Sequence, residues 1–156
     1  MPHMTALLGK DLNCSIARSL EVLGEKWTLL IVREAFRGRT RFSEFTDSLG
    51  IARDILANRL GTLVEYGVLS RRPYREEGER EREEYVLTPA GRDLLPVMAA
   101  FAAWGDRHRP SESSPTVLYE NAGSGELAEL RFTTAEGRIL DLADVGTRPG
   151  PGTDPV

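Results

Sequence analysis

The stretch from Ile51 to Leu87 constrains the fold more than any other part of the chain. Its first half, I-A-R-D-I-L-A-N-R-L-G-T-L-V-E-Y-G-V-L, places Leu56, Leu60, Leu63 and Val64 on one side of a helix. Asp54, Asn58, Gly61, Thr62 and Glu65 fall on the other side, with Arg53 in the first turn and Arg59 on a flank. Gly67 closes the helix as its C′ residue. The second half, S-R-R-P-Y-R-E-E-G-E-R-E-R-E-E-Y-V-L, continues a strand opened by Val68 and Leu69, turns at Gly78 and returns through Glu84 to Leu87. A helix with one polar face followed by an Arg-rich hairpin is the outline of a winged helix, a shape that fits duplex DNA.

The flanking sequence supplies the rest of such a domain. Ile16, Leu20 and Leu23 recur at i, i+4 and i+7, which predicts an amphipathic helix from Cys14 to Leu23 stopped by Gly24. Lys26 to Phe36 is apolar nearly all round and predicts a central, buried helix. Gly38 to Arg41 is a polar connector with room for a short strand, and Phe42, Phe45 and Leu49 mark a third helix ending at Gly50. Thr88-Pro89 is an N-cap followed by proline at the first helical position. It starts a fifth helix that runs to about Arg107, with Pro96 predicting a kink.

The expected fold is therefore mostly α with a β-hairpin wing, plus a small β-rich extension. The expected organisation is an N-terminal arm over 1–12, a winged helix-turn-helix domain for DNA binding and dimerisation over 13–109, and a linker over 110–115. The extension covers 116–147 and a flexible tail 148–156. Within the extension Val117-Leu118-Tyr119, Leu127 to Phe132 and Arg138 to Leu142 read as short strands.

Charge and cysteine content narrow the chemistry. The formal net charge is −4, which at first disfavours a nucleic-acid partner. Beyond Arg109, however, Arg131, Arg138 and Arg148 stand against eight carboxylates, a local −5, so residues 1–109 sum to +1. One cysteine, Cys14, excludes an internal disulfide, and with two histidines no metal site or other cofactor is expected. No apolar run reaches a membrane-spanning length, and the N-terminus lacks a signal-peptide pattern, so a cytoplasmic protein with no membrane partner is expected. No nucleophile–base arrangement or Gly-rich phosphate loop is present, so an enzyme is not expected.

Side-chain chemistry then assigns candidate contacts. Asn58 pairs bidentately with adenine in a major groove, and Arg53 with guanine or a phosphate. Arg59 suits a phosphate contact or an internal ion pair, while Arg41, Ser43 and Asp54 lie on or beside the same face. Ser43 stands where it would cap the third helix and bond a phosphate. The wing offers Arg71, Arg72, Arg75, Arg80 and Arg82. Six glutamates between Glu76 and Glu84 leave open the alternative of a solvated, salt-bridged loop.

These blocks resemble a known family. C-S-I-A-R-S-L-E-V-L-G-E-K-W-T-L-L-I-V-R-E-A-F, R-F-S-E-F, I-L-A-N-R-L, E-Y-G-V-L and Y-V-L-T-P-A-G-R are similar, in that order, to the HxlR-type regulators, over roughly residues 12–107. The resemblance implies a bacterial, dimeric winged-helix transcription factor related in architecture to MarR-type proteins. It implies that the fourth helix enters the major groove and that the terminal helices form the dimer through Ile16, Leu20, Leu94, Met98, Phe101 and Trp104. Some members of the family sense oxidants through a cysteine placed like Cys14; the alternative is a small buried hydrophobe. Relatives commonly carry Ser where this chain has Ala52, and many end soon after the fifth helix.

The sequence reading is thus a homodimeric repressor that binds an inverted-repeat operator on double-stranded DNA and answers to an unknown small-molecule effector. The alternative is a winged-helix dimer acting as a ligand- or redox-sensing or protein-interaction module with weak or no DNA binding.

Overall fold

The structure is a computed structural model that describes residues 14–151. The arm over 1–12 and the last residues of the tail, 152–156, lie outside the described residues. The chain clusters into two compact units that divide between Leu94 and Leu95.

The first unit holds helices α1 (Ser15–Leu23), α2 (Lys26–Phe36), α3 (Phe42–Leu49) and α4 (Arg53–Glu65). Strands β1 (Leu69–Tyr74) and β2 (Arg82–Leu87) and the single turn α5 (Pro89–Arg92) follow. Ile31, Val32, Phe45, Leu56, Leu60, Leu63 and Leu69 are essentially inaccessible, and Ile51 and Val68 nearly so. The α3 and α4 residues among these are positions picked out by helical periodicity. Ile31 and Val32 belong to the helix read as apolar nearly all round, and the chain leaving α4 joins them. Burying each large side chain contributes about 1.5–3 kcal/mol, so this cluster fixes how α4 sits.

The closure of α4 sets where the wing begins. Gly67 has φ +71° and its N–H donates to the Val64 carbonyl at 3.0 Å, while the Val68 N–H reaches the Leu63 carbonyl at 2.8 Å. This pair of bonds is a Schellman motif, and it turns the chain directly into β1. β1 and β2 pair antiparallel in the register Leu69↔Leu87 to Tyr74↔Arg82. The return strand starts two residues earlier than the sequence suggested. The connector before α3 forms no strand, but the Tyr85 N–H donates to the Thr40 carbonyl at 2.7 Å and ties it to β2.

Thr88 caps α5 as expected: its Oγ1 accepts the Gly91 N–H at 3.0 Å and donates to the Gly67 carbonyl at 2.5 Å. The single fifth helix does not form. α5 stops at Arg92 and a new helix, α6, runs from Leu95 to His108. Pro96 explains the break, because its ring has no N–H for the Arg92 carbonyl four residues back and presses against it.

The second unit contains α6 and two separate hairpins. β3 (Tyr119–Glu120) pairs with β4 (Leu127–Ala128), and β5 (Phe132–Thr133) with β6 (Ile139–Leu140). The expected strand Leu127 to Phe132 is therefore divided between two hairpins, with an Arg131–Glu129 ion pair between its halves. Asn121 Oδ1 accepts the N–H groups of Gly123 and Ser124, fixing the first turn. Gly137, at φ +83°, takes the left-handed position of the second.

Candidate nucleic-acid interface

On α4 the exposed residues Arg53, Asp54, Ala57 and Asn58 face away from the buried Leu56, Leu60 and Leu63. Arg53 opens the helix with its guanidinium 5.0 Å from the centroid of the Phe42 ring, a cation–π contact that joins α4 to α3. Ala52 is the N-cap residue and gives no side-chain cap, as the sequence implied. Asp54 in the first turn favours the positive end of the helix dipole instead.

Asn58 and Arg59 act together. Arg59 Nη1 donates to Asn58 Oδ1 at 3.2 Å, and Arg59 Nη2 lies 3.1 Å from Glu25 Oε2 at the N-cap of α2. Arg59 is mostly covered, and its Nε is buried without a hydrogen-bond partner. Of the two roles left open for Arg59, the structure places it in the internal ion pair. From there it steadies the Asn58 amide, whose NH2 group is not used in that bond.

Ser43 is exposed but is the second residue of α3, not its cap. The N-cap position belongs to Arg41, and the capping acceptor is Glu44, whose Oε2 takes the N–H groups of Thr40 at 2.8 Å and Arg41 at 3.0 Å. Those bonds, Arg41 first, hold the Glu44 carboxyl below the usual carboxylate range. Glu84 is lowered too, by the Thr40 hydroxyl and then by Arg72. Groups depressed on folding add stability that is present above the ordinary carboxylate pKa of about 4.3 and lost as pH falls through their folded values. Glu44→Gln keeps an oxygen for the cap but cannot titrate. Its thermal midpoint, followed from pH 6 to pH 3, should fall less steeply than that of the unmodified chain.

Arg41 links α3 to the wing. Its guanidinium lies 4.5 Å from the centroid of the Tyr74 ring and pairs with Glu76, the bond that chiefly raises its pKa. Neither Tyr74 nor Glu76 was singled out in the sequence. Three further wing arginines are paired: Arg72 with Glu84 at 2.7 Å, Arg82 with Glu79 at 2.9 Å and Arg71 with Glu83 at 3.7 Å. Among the described residues Arg75 and Arg80, at the hairpin tip, form no ion pair. Four of the six wing glutamates, Glu76, Glu79, Glu83 and Glu84, thus each take one arginine and leave two cations free at the tip. A phosphate reaching Arg41 must compete with Glu76. An exposed pair is worth at most about 1 kcal/mol, so Glu76→Gln should tighten DNA binding by no more than about fivefold at low salt. A fluorescence anisotropy titration checks this.

Cys14 is half-buried at the N-cap position of α1. Ile16 and Leu20 on α1, and Phe101 and Trp104 on α6, are exposed, at 72%, 43%, 63% and 61%. Leu94 and Met98 are half-buried. No described helix is long and apolar enough to cross a membrane, and no cluster of three metal-ligating side chains occurs among the described residues.

Comparison with known proteins agrees with this geometry. The model of the HxlR-like helix-turn-helix family matches residues 22–113. An HTH-type transcriptional regulator of Mycobacterium tuberculosis is 42% identical over 139 residues, 88% of this chain and 87% of that protein. The crystal structure of PA1607, described as a candidate transcription factor, has a TM-score of 0.75 at 37% identity and covers 90% of this chain and 98% of its own. The redox regulator HypR in its reduced form has a TM-score of 0.56 at 29% identity over 62% of this chain and 94% of its own. With a helix-turn-helix, a two-stranded wing and a family match across both, the chain belongs to the HxlR-like helix-turn-helix family of transcriptional regulators.

Proposed function

We propose that the chain works as a homodimeric repressor that reads an inverted-repeat operator. α4 lies in the major groove, Arg53 and Asn58 meet base edges, and the wing and Arg41 track phosphates. The observation that carries this reading is the exposed polar face of α4 beside a hairpin tip with two unpaired arginines. A helix about 10–12 Å across matches a major groove about 12 Å wide, and the small Ala57 permits close approach. The dimer rests on the exposed apolar residues of α1 and α6, which a single chain leaves in water. Two such half-site readers on one promoter would block transcription by occupying it. Selection of bound fragments from sheared genomic DNA, followed by footprinting, tests the proposal. Two protected half-sites about one helical turn apart, or a multiple of it, are expected. Failure to select any fragment would refute it and favour a sensing or protein-interaction module, a reading that the paired arginines of the wing support.

A redox-sensing form of the same function is favoured by the likeness to HypR and by the single thiol at the start of α1. In this form oxidation of Cys14 changes operator affinity. Operator release by oxidant that is unchanged in Cys14→Ser would rule it out.

A further inference from the structure

The second unit, residues 95–151 as described, contains no buried residue. Its strands are two residues long, and a two-stranded ribbon of that size does not hold itself together in water. Leu118, Leu127, Leu130, Phe132, Ile139 and Leu142 are each more than half exposed. On α6 of the same unit Leu95, Val97, Phe101 and Trp104 are exposed as well. At roughly 200 Å² for a large apolar side chain, these ten residues leave about 1,200 Å² uncovered. The largest apolar patch on an ordinary monomer is about 300–600 Å².

We infer that the hairpins of the extension are dimer elements, which pack on a second copy of this chain and build one shared core with the two α6 helices. The inference rests on the dimer proposed above and carries it into residues beyond those that match the family model. Size selects this occupant. Obligate homodimer interfaces bury about 1,000–2,500 Å² per partner, roughly two thirds of it apolar, which requires at least about 650 Å² of apolar surface. The exposed residues of α6 offer only about 400 Å² on the same basis, and the hairpins more than make up the difference.

Charge and permanence agree. Between residues 112 and 144 seven carboxylates stand against Arg131 and Arg138, which disfavours duplex DNA or an anionic membrane as the cover. Hairpins with no core of their own need their cover whenever the chain is folded. Another copy is the one protein always made beside it.

The test uses the full chain carrying Leu127→Ser and Phe132→Ser together, followed by sedimentation equilibrium and thermal melting. The dimer dissociation constant should rise at least tenfold while α4 and the wing keep their fold. A lowered melting temperature with an unchanged dimer would place the hairpins on their own chain. No change in either would leave them for a different protein, and both results overturn the inference. If the unmodified chain sediments as a monomer, the proposed dimer itself fails. An unmodified dimer that the double variant leaves intact defeats the inference alone. A second variant covers the case in which the first does not fold: Leu130→Cys in a Cys14→Ser background, labelled with an aqueous maleimide. Its thiol should be protected at high protein concentration and labelled on dilution. Labelling that does not depend on protein concentration contradicts the shared core.

Discussion

Asn58→Ala is expected to weaken binding to the selected operator by roughly 5- to 150-fold and to relax preference at one base pair in each half-site. The magnitude follows from the ~1–3 kcal/mol carried by a bidentate base contact, with 1.4 kcal/mol equal to a factor of ten. Asn58 is suited to such a contact because its amide is not free to spin: Arg59, anchored on Glu25, donates to its Oδ1 at 3.2 Å. Arg53→Ala should cost a similar amount and also remove the stacking on Phe42 that holds the guanidinium in place. Arg53→Lys should recover little, since an ammonium has neither the planar fork nor the stacking face. Anisotropy titrations against the operator and single-base variants check both residues. A uniform loss across all sequences would reassign Asn58 from base reading to phosphate positioning.

Gly91→Ala should be the most damaging single methyl group in the first unit. A Cβ at Gly91 would lie 2.2 Å from the Val68 carbonyl oxygen and 2.9 Å from Leu87 Cδ2. The Val68 carbonyl cannot retreat without cost, because it accepts the Thr88 N–H at 3.1 Å at the junction of α4, β1 and α5. The substitution should lower stability by about 2–4 kcal/mol, by overpacking and by loss of that hydrogen bond. For a chain of this length the melting temperature should drop by roughly 5–15 °C. Gly61→Ala sets the opposite sign. Nothing lies within 4 Å of a Cβ there, and alanine gains about 1 kcal/mol in a helix interior, so the protein should melt higher. Equal melting temperatures for the two variants would mean that α5 does not press on Val68 and Leu87.

What was legible in the sequence was local. Periodicity gave the buried face of α4, the nearly continuous apolar run gave α2 its central place, Gly67 gave the close of α4, and Thr88-Pro89 gave a capped start for α5. Partners distant in the chain could not be read this way. Arg41 meets Glu76 and Arg59 meets Glu25, pairs brought together by packing and carried by no repeat. For that reason the wing looked nearly neutral, whereas the fold spends its glutamates on particular arginines and leaves Arg75 and Arg80 free. The α5–α6 break had a local signal in Pro96, but a proline near a helix start is compatible with both a kink and a stop. Gly91 was passed over because a glycine inside a helical pattern looks like an ordinary weak point; only the approach of Val68 shows why glycine is required there. The Ser43 cap failed because α3 starts at Phe42, which puts Arg41 at the N-cap position and Ser43 inside the first turn.

The claim that the wing tip and α4 together grip DNA is tested most directly by the salt dependence of operator binding, measured for the unmodified chain and for Arg75→Ala with Arg80→Ala. Each phosphate contact contributes about −0.9 to the slope of log affinity against log salt concentration. The double variant should therefore bind more weakly to every sequence and show a slope shallower by about 2. A slope near zero in the unmodified chain, or one that the double variant leaves unchanged, would contradict it.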